Sequence, residues 1–317
     1  MINALAVDNT GNVYVADNNR IQKFTNNGIF LSKWGSAGSD DGKFSGIIGL
    51  ATDSTGNIYA ADSGNYRIQK FDTNGNFLTK WGSFGTSDGQ FGNIPISIAT
   101  DSSDNVYVKE GCYVHKFDTN GNFVKKLGGC GQDNGQFTAA SEVAELAVDN
   151  ADNVYVVNSW SSIQKFDSSG NFLAKWDLNH FPDPPAGVMI DSSGNIFAKT
   201  YSRIQKFDGN WTFLLKWGVQ QTDDGYIVGN HRITTDYFGN IFVADTYPSF
   251  DVSTGYIRIQ KFDNNGNFLT KWWIKENDDN LIYPNFPIMG GMCTDSTGNV
   301  YIFIQPQSYN FTKVSLH

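Results

Sequence analysis

Residues 50–81 read LATDSTGNIYAADSGNYRIQKFDTNGNFLTKW, and variants of this stretch recur along the whole chain. The stretch contains four short runs of β-forming residues, which are separated by turn sequences such as DSTGN and DTNGN. Gly tolerates the positive φ that tight turns require, and Asp and Asn side chains can bond back to nearby backbone amides. The stretch therefore predicts one four-stranded antiparallel sheet, with strands a, b, c and d in chain order.

The four predicted strands differ in polarity. Strands a and b (50–52 and 58–61) are nearly all small or apolar, whereas strands c and d (67–71 and 77–81) interleave Arg, Gln, Thr and Lys with apolar residues. We therefore expect a and b to be covered on both faces and c and d to lie near a rim. Between c and d, Asn74-Gly75 suits the two left-handed positions of a type I′ hairpin turn.

The turn between strands a and b sets the number of repeats. Each copy begins with an Asp and ends four residues later with an Asn, and the seven first residues are Asp8, Asp53, Asp101, Asp149, Asp191, Asp236 and Asp295. Four strands in a period of about 40–50 residues are typical of a β-propeller. The sequence therefore predicts an all-β, seven-bladed β-propeller with four-stranded antiparallel blades in a single domain, 1–317. The repeats start near residues 5, 50, 98, 146, 188, 233 and 292, and the last blade is predicted to have three strands because no seventh strand d follows it.

The repeats also resemble the NHL repeat family. The matching segments are VDNTGNVYVADNNRIQKF at 7–24, ADSGNYRIQKFD at 61–72 and the linker WGSFGTSDGQF at 81–91. The resemblance covers almost the whole chain and implies the propeller fold. It leaves the function open, because the family includes protein-binding, RNA-binding and lyase members.

The composition excludes several kinds of partner. The net charge is −9, and the lysines are spread evenly over strands c and d, so no basic stripe forms for nucleic acid. The chain lacks an apolar run of the roughly 18 residues that a membrane span requires, so we expect no membrane insertion. The first four residues lead directly into the first repeat, so no signal peptide is visible.

The carboxylates of the repeat have a structural and a functional interpretation. Each Asp-x-x-Gly-Asn turn offers one or two oxygens, whereas calcium requires about six or more, so we interpret the aspartates as turn-forming residues. Other aspartates end strand b where an Arg begins strand c, and we expect them to pair within each blade, as Asp17–Arg20, Asp62–Arg67 and Asp245–Arg258. The alternative is a ring of carboxylates around a channel mouth, which Glu110, Asn158 and Thr200 would interrupt.

The histidines bear on the possibility of an enzyme. The resemblance implies two enzymatic models: amidating lyases, which hold zinc with several histidines, and lactonases, which use Glu, Asn and Asp around a channel metal. Of the four histidines here, His180 and His231 fall near irregular loops, and two without a third make a weak zinc site. Glu145 is one possible lactonase ligand, but no full set can be named. We therefore expect no catalytic residues, no metal and no cofactor.

Two cysteines are placed to pair. Folding strands c and d of the third repeat about their hairpin turn brings Cys112 opposite Gly129, one residue from Cys130. A disulfide is compatible with that spacing, since bridged Cα atoms lie about 5.5–6 Å apart. We hypothesise a Cys112–Cys130 bond formed in an oxidising compartment. Asn210-Trp211-Thr212 and Asn310-Phe311-Thr312 fit the N-glycosylation acceptor pattern, and together these features favour an extracellular or cell-surface location.

Irregular loops mark the predicted binding surface. The b–c and d–a connections lengthen in the second half of the chain, at 177–186, 246–256 and 273–291, and long loops on a rigid scaffold commonly bind ligands. The repeat pattern does not require the aromatic, His and Arg residues found in or beside these connections, and the predicted binding residues are Trp160, His180, Phe181, Tyr201, His231, Arg232, Tyr247 and Phe250.

The sequence therefore predicts a non-enzymatic module that holds a protein, peptide or glycan partner. The alternatives are a metal-assisted lyase or lactonase with a site at the channel mouth, and a structural component of a surface assembly that makes contacts through its blade edges. The oligomeric state is left open.

Overall fold

The computed structural model describes residues 2–138, 145–158, 161–177, 179–181, 183–200, 202–218, 224–227, 232–236, 238–246, 257–274, 288–295, 298–305 and 312–314. The chain divides into two compact units, Met1–His180 and Phe181–His317. Each unit is built from antiparallel sheets whose strands follow one another in sequence order.

The first unit contains four four-stranded sheets. Sheet 1 consists of β1 (Ile2–Val7), β2 (Val13–Asp17), β3 (Arg20–Phe24) and β4 (Phe30–Trp34). Sheet 2 consists of β5 (Ile47–Thr52), β6 (Ile58–Asp62), β7 (Arg67–Phe71) and β8 (Phe77–Trp81), with a short 3₁₀ helix at Ser63–Asn65. Sheet 3 consists of β9 (Pro95–Thr100), β10 (Val106–Glu110), β11 (Tyr113–Phe117) and β12 (Phe123–Gly128). Sheet 4 consists of β13 (Leu146–Val148), β14 (Val154–Asn158), β15 (Ser162–Phe166) and β16 (Phe172–Asp177).

The described part of the second unit contains two four-stranded sheets and a third with three strands. Sheet 5 consists of β17 (Gly187–Ile190), β18 (Ile196–Lys199), β19 (Ile204–Phe207) and β20 (Phe213–Trp217). Sheet 6 consists of β21 (Ile233–Thr235), β22 (Ile241–Thr246), β23 (Ile257–Phe262) and β24 (Phe268–Ile274). Sheet 7 consists of β25 (Ile288–Thr294), β26 (Val300–Gln305) and β27 (Thr312–Val314).

These sheets confirm the predicted all-β propeller architecture with four-stranded antiparallel blades. Six such sheets are followed by a partial seventh within the described ranges. Among the described residues, no helix is long and apolar enough to cross a membrane.

The strands differ in burial in a way that the sequence predicts only in part. In sheet 2, strand b is fully buried and strand d alternates between exposed and half-buried residues, as expected. Strand c, β7, is buried along its whole length, so its predicted place near a rim is wrong. Its polar residues Arg67, Gln69 and Lys70 are buried because they bond to neighbouring loops and sheets.

The a–b turns are stabilised by their own side chains. In sheet 2, Asp53 Oδ1 accepts hydrogen bonds from the backbone N–H groups of Thr55 and Asn57, and Oδ2 accepts from Asn57 Nδ2 and from the Tyr59 hydroxyl. The same Asp–Tyr bond closes the turns that begin at Asp8, Asp101, Asp149 and Asp295. The carboxylates are therefore used within the turns, which confirms their turn-forming interpretation.

Two aspartates of the a–b turns also link adjacent sheets. Asp104 and Asp152 stand where other turns have Gly, and both adopt the left-handed conformation, with φ of 62° and 61°. The Asp104 carboxylate accepts bonds from the backbone N–H and hydroxyl of Ser54 in sheet 2. The Asp152 carboxylate accepts the same pair from Ser102 in sheet 3. An Asp side chain thus compensates for a backbone conformation that favours Gly.

The c–d hairpins differ from the predicted type I′ turn. In sheet 2, Gly75 has a φ of 84°, but Asn74 is absent from the positive-φ residues of this fully described region. Asp72 Oδ1 accepts bonds from the N–H groups of Asn74 and Asn76, and Gly75 N–H donates to the Asp72 carbonyl. The Asp side chain therefore selects a longer turn with one left-handed residue, so the type I′ prediction is wrong.

The strand-d tryptophans pack between sheets. The Trp34 ring lies 6.0 Å from Phe71 of sheet 2, and the Trp81 ring lies 5.8 Å from Phe117 of sheet 3. Gly75 allows this contact, because an added Cβ would lie 2.6 Å from the Trp34 ring. In the second unit, Trp217 packs against Phe262 in the same way.

The turn aspartates make folding sensitive to acid. Burial by itself would raise the pKa of Asp53, but hydrogen bonds from Asn57, Thr55 and Tyr59 outweigh it and hold the pKa below its ordinary value. Such a carboxylate stabilises the fold above its unfolded pKa, and this contribution is lost as the pH falls through the lower folded value. We therefore expect the free energy of unfolding, measured with urea, to fall steeply below about pH 4.

Substitution of Asp53 isolates this contribution. Asp53→Asn removes the charge, and we expect it to lower stability at pH 7 by about 1–3 kcal/mol and to make the loss on acidification smaller. Asp88→Asn, at an exposed loop position, is the control. An unchanged acid dependence in Asp53→Asn would show that the turn carboxylate is not its source.

Candidate functional site

The b–c ends of the sheets carry buried ion pairs. Asp62 pairs with Arg67 at 2.7 Å, and Asp245 pairs with Arg258 at 2.6 Å. The Asp17–Arg20 pair is more exposed. The predicted pairing within each sheet is confirmed. Removing one partner of a buried pair leaves an uncompensated buried charge, so the two buried pairs matter more for the stability of the fold than surface ion pairs do.

The buried pair of sheet 2 holds the preceding d–a loop in place. The Arg67 guanidinium donates to the carbonyls of Ser39, Asp40 and Lys43. Asp62 Oδ1 accepts from the Ser45 backbone N–H. The guanidinium and the carboxylate therefore bond to both sides of loop 35–46.

In sheet 2 the buried ion pair and a strand-c glutamine form a clamp on the loop, which consists of Asp62, Arg67 and Gln69. An equivalent glutamine bonds to the preceding d–a loop in three of the described sheets. Its amide nitrogen donates to a loop carbonyl and its amide oxygen accepts from a loop Gly N–H; the glutamines are Gln69, Gln164 and Gln260. In sheets 2 and 6 the amide also donates to the buried Asp, at 3.1 Å in both cases. The d–a loops are thus anchored by repeated side chains and not by their own sequence alone.

Sheet 3 replaces this clamp with ionisable residues. His115 stands in the Gln position and contacts Glu110 at 3.1 Å between Nε2 and Oε1. Glu110 Oε2 accepts from the Asn93 backbone N–H, so the carboxylate still anchors the loop. The His115 ring is fully buried and stacks on Phe117, and its Nδ1 has no hydrogen-bond partner among the described residues.

A buried lysine lies beside this pair. Lys109 replaces the small residues Ala16 and Ala61 of the first two sheets and is 2% exposed. Its amine donates to the Gly111 carbonyl and lies 5.1 Å from the centre of the Phe137 ring. Burial lowers the pKa of Lys109 to about 8, and the charge of Glu110 opposes that shift.

Lys109, Glu110 and His115 form the sheet 3 ionisable cluster. A buried lysine with a lowered pKa, clustered with other ionisable groups, is a candidate for acid–base chemistry. All three side chains are at most 2% exposed, so a substrate has no direct access to them in this structure. The sequence signal for this cluster is the replacement of the repeat residues Ala, Asp and Gln by Lys, Glu and His.

Sheet 4 departs from the clamp in a different way. Asn158 replaces the Asp, and its Oδ1 accepts from the Thr138 backbone N–H and hydroxyl. Ser162 replaces the Arg and is fully buried, with no hydrogen-bond partner for its hydroxyl among the described residues. The buried ion pair is therefore absent from this sheet.

A disulfide joins the b–c and d–a loops of sheet 3. Cys112 and Cys130 are bonded, and their Cα atoms lie 4.9 Å apart. In sheet 2 the corresponding residues are Tyr66 and Phe84, whose ring centres lie 5.0 Å apart in an edge-on contact. The covalent bond thus occupies a position where another sheet uses aromatic packing.

The Tyr66–Phe84 pair is an exposed aromatic feature that sequence reasoning missed. Phe84 is 70% exposed. Tyr66 is half-buried and adopts a φ of 53°, a conformation that a bulky residue rarely takes. The signal in the sequence is the linker position of Phe84, which Ala37 and Cys130 occupy in the neighbouring repeats.

Three predicted binding residues fall within the described ranges. The His180 side chain is exposed and contacts Asp177 at 3.2 Å, and Arg232 is also exposed. Phe181 is 1% exposed and packs edge-on against Phe207, so its ring is part of a core in this structure. The other five predicted residues lie outside the described residues; they are Trp160, Tyr201, His231, Tyr247 and Phe250.

Among the described side chains, no group of three or more His, Cys, Asp or Glu residues could hold a metal ion. His231, one of the two histidines near irregular loops, lies outside the described residues.

One repeat of the chain matches a known family of protein repeats. The NHL repeat matches residues 44–71, which include the clamp residues Asp62, Arg67 and Gln69. The chain thus contains an NHL repeat within a β-propeller fold. No curated protein matches the sequence.

Solved structures share the fold of this NHL-repeat propeller. Virginiamycin B lyase from Staphylococcus aureus superposes with a TM-score of 0.67 at 11% identity, over 96% of this chain and 91% of the lyase chain. A streptogramin B lyase gives a TM-score of 0.66 at 13% identity, over 96% and 90% of the two chains. A catalytically inactive variant of the S. aureus lyase with quinupristin gives 0.65 at 10% identity, over 96% and 91%. At these identities the likeness shows the fold alone.

The buried clamp of sheet 2 can be tested by removing its cation. Arg67→Ala leaves Asp62 buried without a counter-charge, so we expect a loss of about 3–5 kcal/mol in the free energy of unfolding and faster proteolysis within loop 35–46. Lys43→Ala is the control, because the Lys43–Asp40 pair is exposed, and its expected loss is within about 1 kcal/mol. Equal losses in the two variants would contradict the anchoring role.

The disulfide can be tested by reduction. A closed loop of this length is expected to contribute about 3 kcal/mol, so a reductant should lower the urea midpoint of the protein. A Cys112→Ser/Cys130→Ser variant should start at the lower midpoint and show no further change with reductant. A reductant effect of the same size in that variant would contradict the assignment.

Proposed function

We propose that this NHL-repeat propeller is a non-enzymatic binding module whose b–c and d–a loops hold a protein, peptide or glycan partner. The proposal rests on the role of the charged residues at the b–c ends of the sheets. Asp62, Arg67, Asp245 and Arg258 are buried and paired, and their bonds fix loop backbones. Charges engaged in this way supply a rigid support for loops and are not free for chemistry.

The proposed contact residues vary from repeat to repeat. His180 and Arg232 are exposed at loop positions, and the Tyr66–Phe84 pair, in which Phe84 is 70% exposed, adds an aromatic surface. Trp160, Tyr201, His231, Tyr247 and Phe250 are proposed on the sequence pattern. Aromatic and Arg residues are enriched among residues that dominate binding energy.

The charge of the chain narrows the class of partner. A net charge of −9 disfavours phosphate-rich ligands and favours neutral or basic ones. We therefore propose an uncharged glycan, or a neutral or basic peptide segment, in preference to nucleic acid.

We further propose that sheet 7 is a seventh blade. The Tyr301 hydroxyl donates to Asp295 at 2.7 Å, which repeats the turn bond of the other sheets. The Thr294 hydroxyl donates to the Thr235 carbonyl of sheet 6, as Thr52 donates to Val7 between sheets 2 and 1. A crystal structure with an open or six-bladed arrangement would overturn this assignment.

A lyase is the second candidate function. It is favoured by the fold shared with virginiamycin B lyase over 96% of the chain, together with the sheet 3 ionisable cluster. The burial of that cluster argues against it, since a catalytic group must reach its substrate. A direct assay of lyase activity distinguishes the lyase from the binding module.

The binding proposal can be tested with a glycan array and a phage-displayed peptide library. For a ligand recovered from either, we expect Phe84→Ala or Arg232→Ala, each tested alone, to weaken binding about tenfold or more. Lys33→Ala, at an exposed position of the outer strand β4, should leave the affinity unchanged. An equal effect of Lys33→Ala would contradict the loop surface.

The lyase alternative is tested by incubating the protein with quinupristin, with and without added divalent cations. We expect mass spectrometry to show unchanged quinupristin. Its conversion, abolished by His115→Gln or Lys109→Met, would overturn the non-enzymatic proposal and assign chemistry to the sheet 3 ionisable cluster.

A further inference from the structure

The c–d turn of sheet 5 departs from the repeat at two adjacent positions. The corresponding turns of sheets 2, 3, 4 and 6 end in Gly-Asn, whereas this turn reads Asp208-Gly209-Asn210-Trp211-Thr212. Trp211 replaces the Gly and Thr212 replaces the Asn. The Thr replacement creates an Asn-x-Thr sequence that those four turns lack.

The two replacements affect the turn differently. Trp211 adopts a φ of 62°, a left-handed conformation that Gly takes without strain in the other sheets. In sheet 2 the Asn76 side chain donates to Asp72 Oδ2, and in sheet 5 the Thr212 side chain makes a hydrogen bond to Asp208 in its place. The turn is nevertheless kept, because Asp208 Oδ1 accepts from the N–H groups of Asn210 and Thr212.

The turn presents the acceptor side chains to solvent. The Trp211 ring is 8% exposed and packs 4.9 Å from the Phe207 ring, so the middle residue points inward. Asn210 and Thr212 on either side of it are both exposed. This arrangement leaves the Asn210 amide accessible at the tip of a hairpin.

We propose that Asn210 is an N-glycosylation site. The acceptor pattern is Asn-x-Thr with a residue other than Pro in the middle. The donor class is an oligosaccharide linked through its anomeric carbon to a lipid diphosphate. An oligosaccharyltransferase joins Asn210 Nδ2 to that carbon, the anomeric carbon–oxygen bond to the diphosphate breaks, the amide loses one proton and the lipid diphosphate leaves.

Two further observations agree with this assignment. The residues that follow the turn, Phe213 and Leu214, are 50% and 45% exposed on the outer strand β20. A glycan at Asn210 would cover an apolar strand edge, and exposed edges of this kind promote aggregation. The Cys112–Cys130 disulfide is typical of the oxidising compartments in which such transfer occurs.

The test is secretion of the full chain, behind a signal peptide, from a eukaryotic cell line that performs N-glycosylation. We expect peptide mapping to find an oligosaccharide on the peptide that contains Asn210, and an amidase that releases N-glycans to convert Asn210 to Asp. An unmodified Asn210 in secreted, folded protein would overturn the proposal.

Matched variants separate the modification from folding. Thr212→Asn restores the turn of the other sheets and removes the acceptor pattern, so it should fold and carry no glycan at residue 210. Trp211→Gly restores the Gly and keeps the pattern, so it should remain glycosylated. A glycan at Asn210 in Thr212→Asn, or its loss in Trp211→Gly, would contradict the role assigned to this turn.

Discussion

One side-chain arrangement joins each sheet of the first unit to the next. In sheet 2, the Tyr59 hydroxyl donates to Asp53, and the Lys70 amine lies 4.9 Å from the Tyr59 ring and 3.4 Å from the Asp53 carboxylate. The same amine donates to the Thr119 carbonyl in the c–d turn of sheet 3. Burial and the nearby carboxylate raise the pKa of Tyr59, so its proton stays in this bond. Because each part depends on the others, the turns, the strand order and the packing between sheets are fixed together.

Burial of the polar residues explains why the repeat tolerates variation only at certain positions. Arg67 and Gln69 use their donors on the preceding loop, so substitution at either position leaves a buried partner unsatisfied. Sheet 3 changes this set together, to Glu110 and His115, and a disulfide also joins its b–c loop to the d–a loop that follows it. In sheet 2 the equivalent contact with the following loop is made by two aromatic rings, Tyr66 and Phe84.

The difference between shared and variable residues of the repeats underlies the proposed function. Residues shared by the repeats hold the sheets and loops in place, whereas residues that differ between repeats are available to contact a partner. The sheet 3 ionisable cluster has the composition of a catalytic group but is closed to solvent in this structure. The exposed Tyr66–Phe84 pair and Arg232 are open to solvent and fit a binding role better.

The sequence by itself determined the repeat, the four-stranded sheets, the turn aspartates, the Asp–Arg pairs and the two cysteines that bond, because each depends on residues close together in one repeat. Only the tertiary structure decided that strand c is buried, that Asp72 selects a longer hairpin than type I′, and that Phe181 packs into a core. It also decided that Phe84 is exposed. These features depend on which loop or sheet covers a residue. A covering group that is distant in sequence cannot be identified from the local sequence pattern.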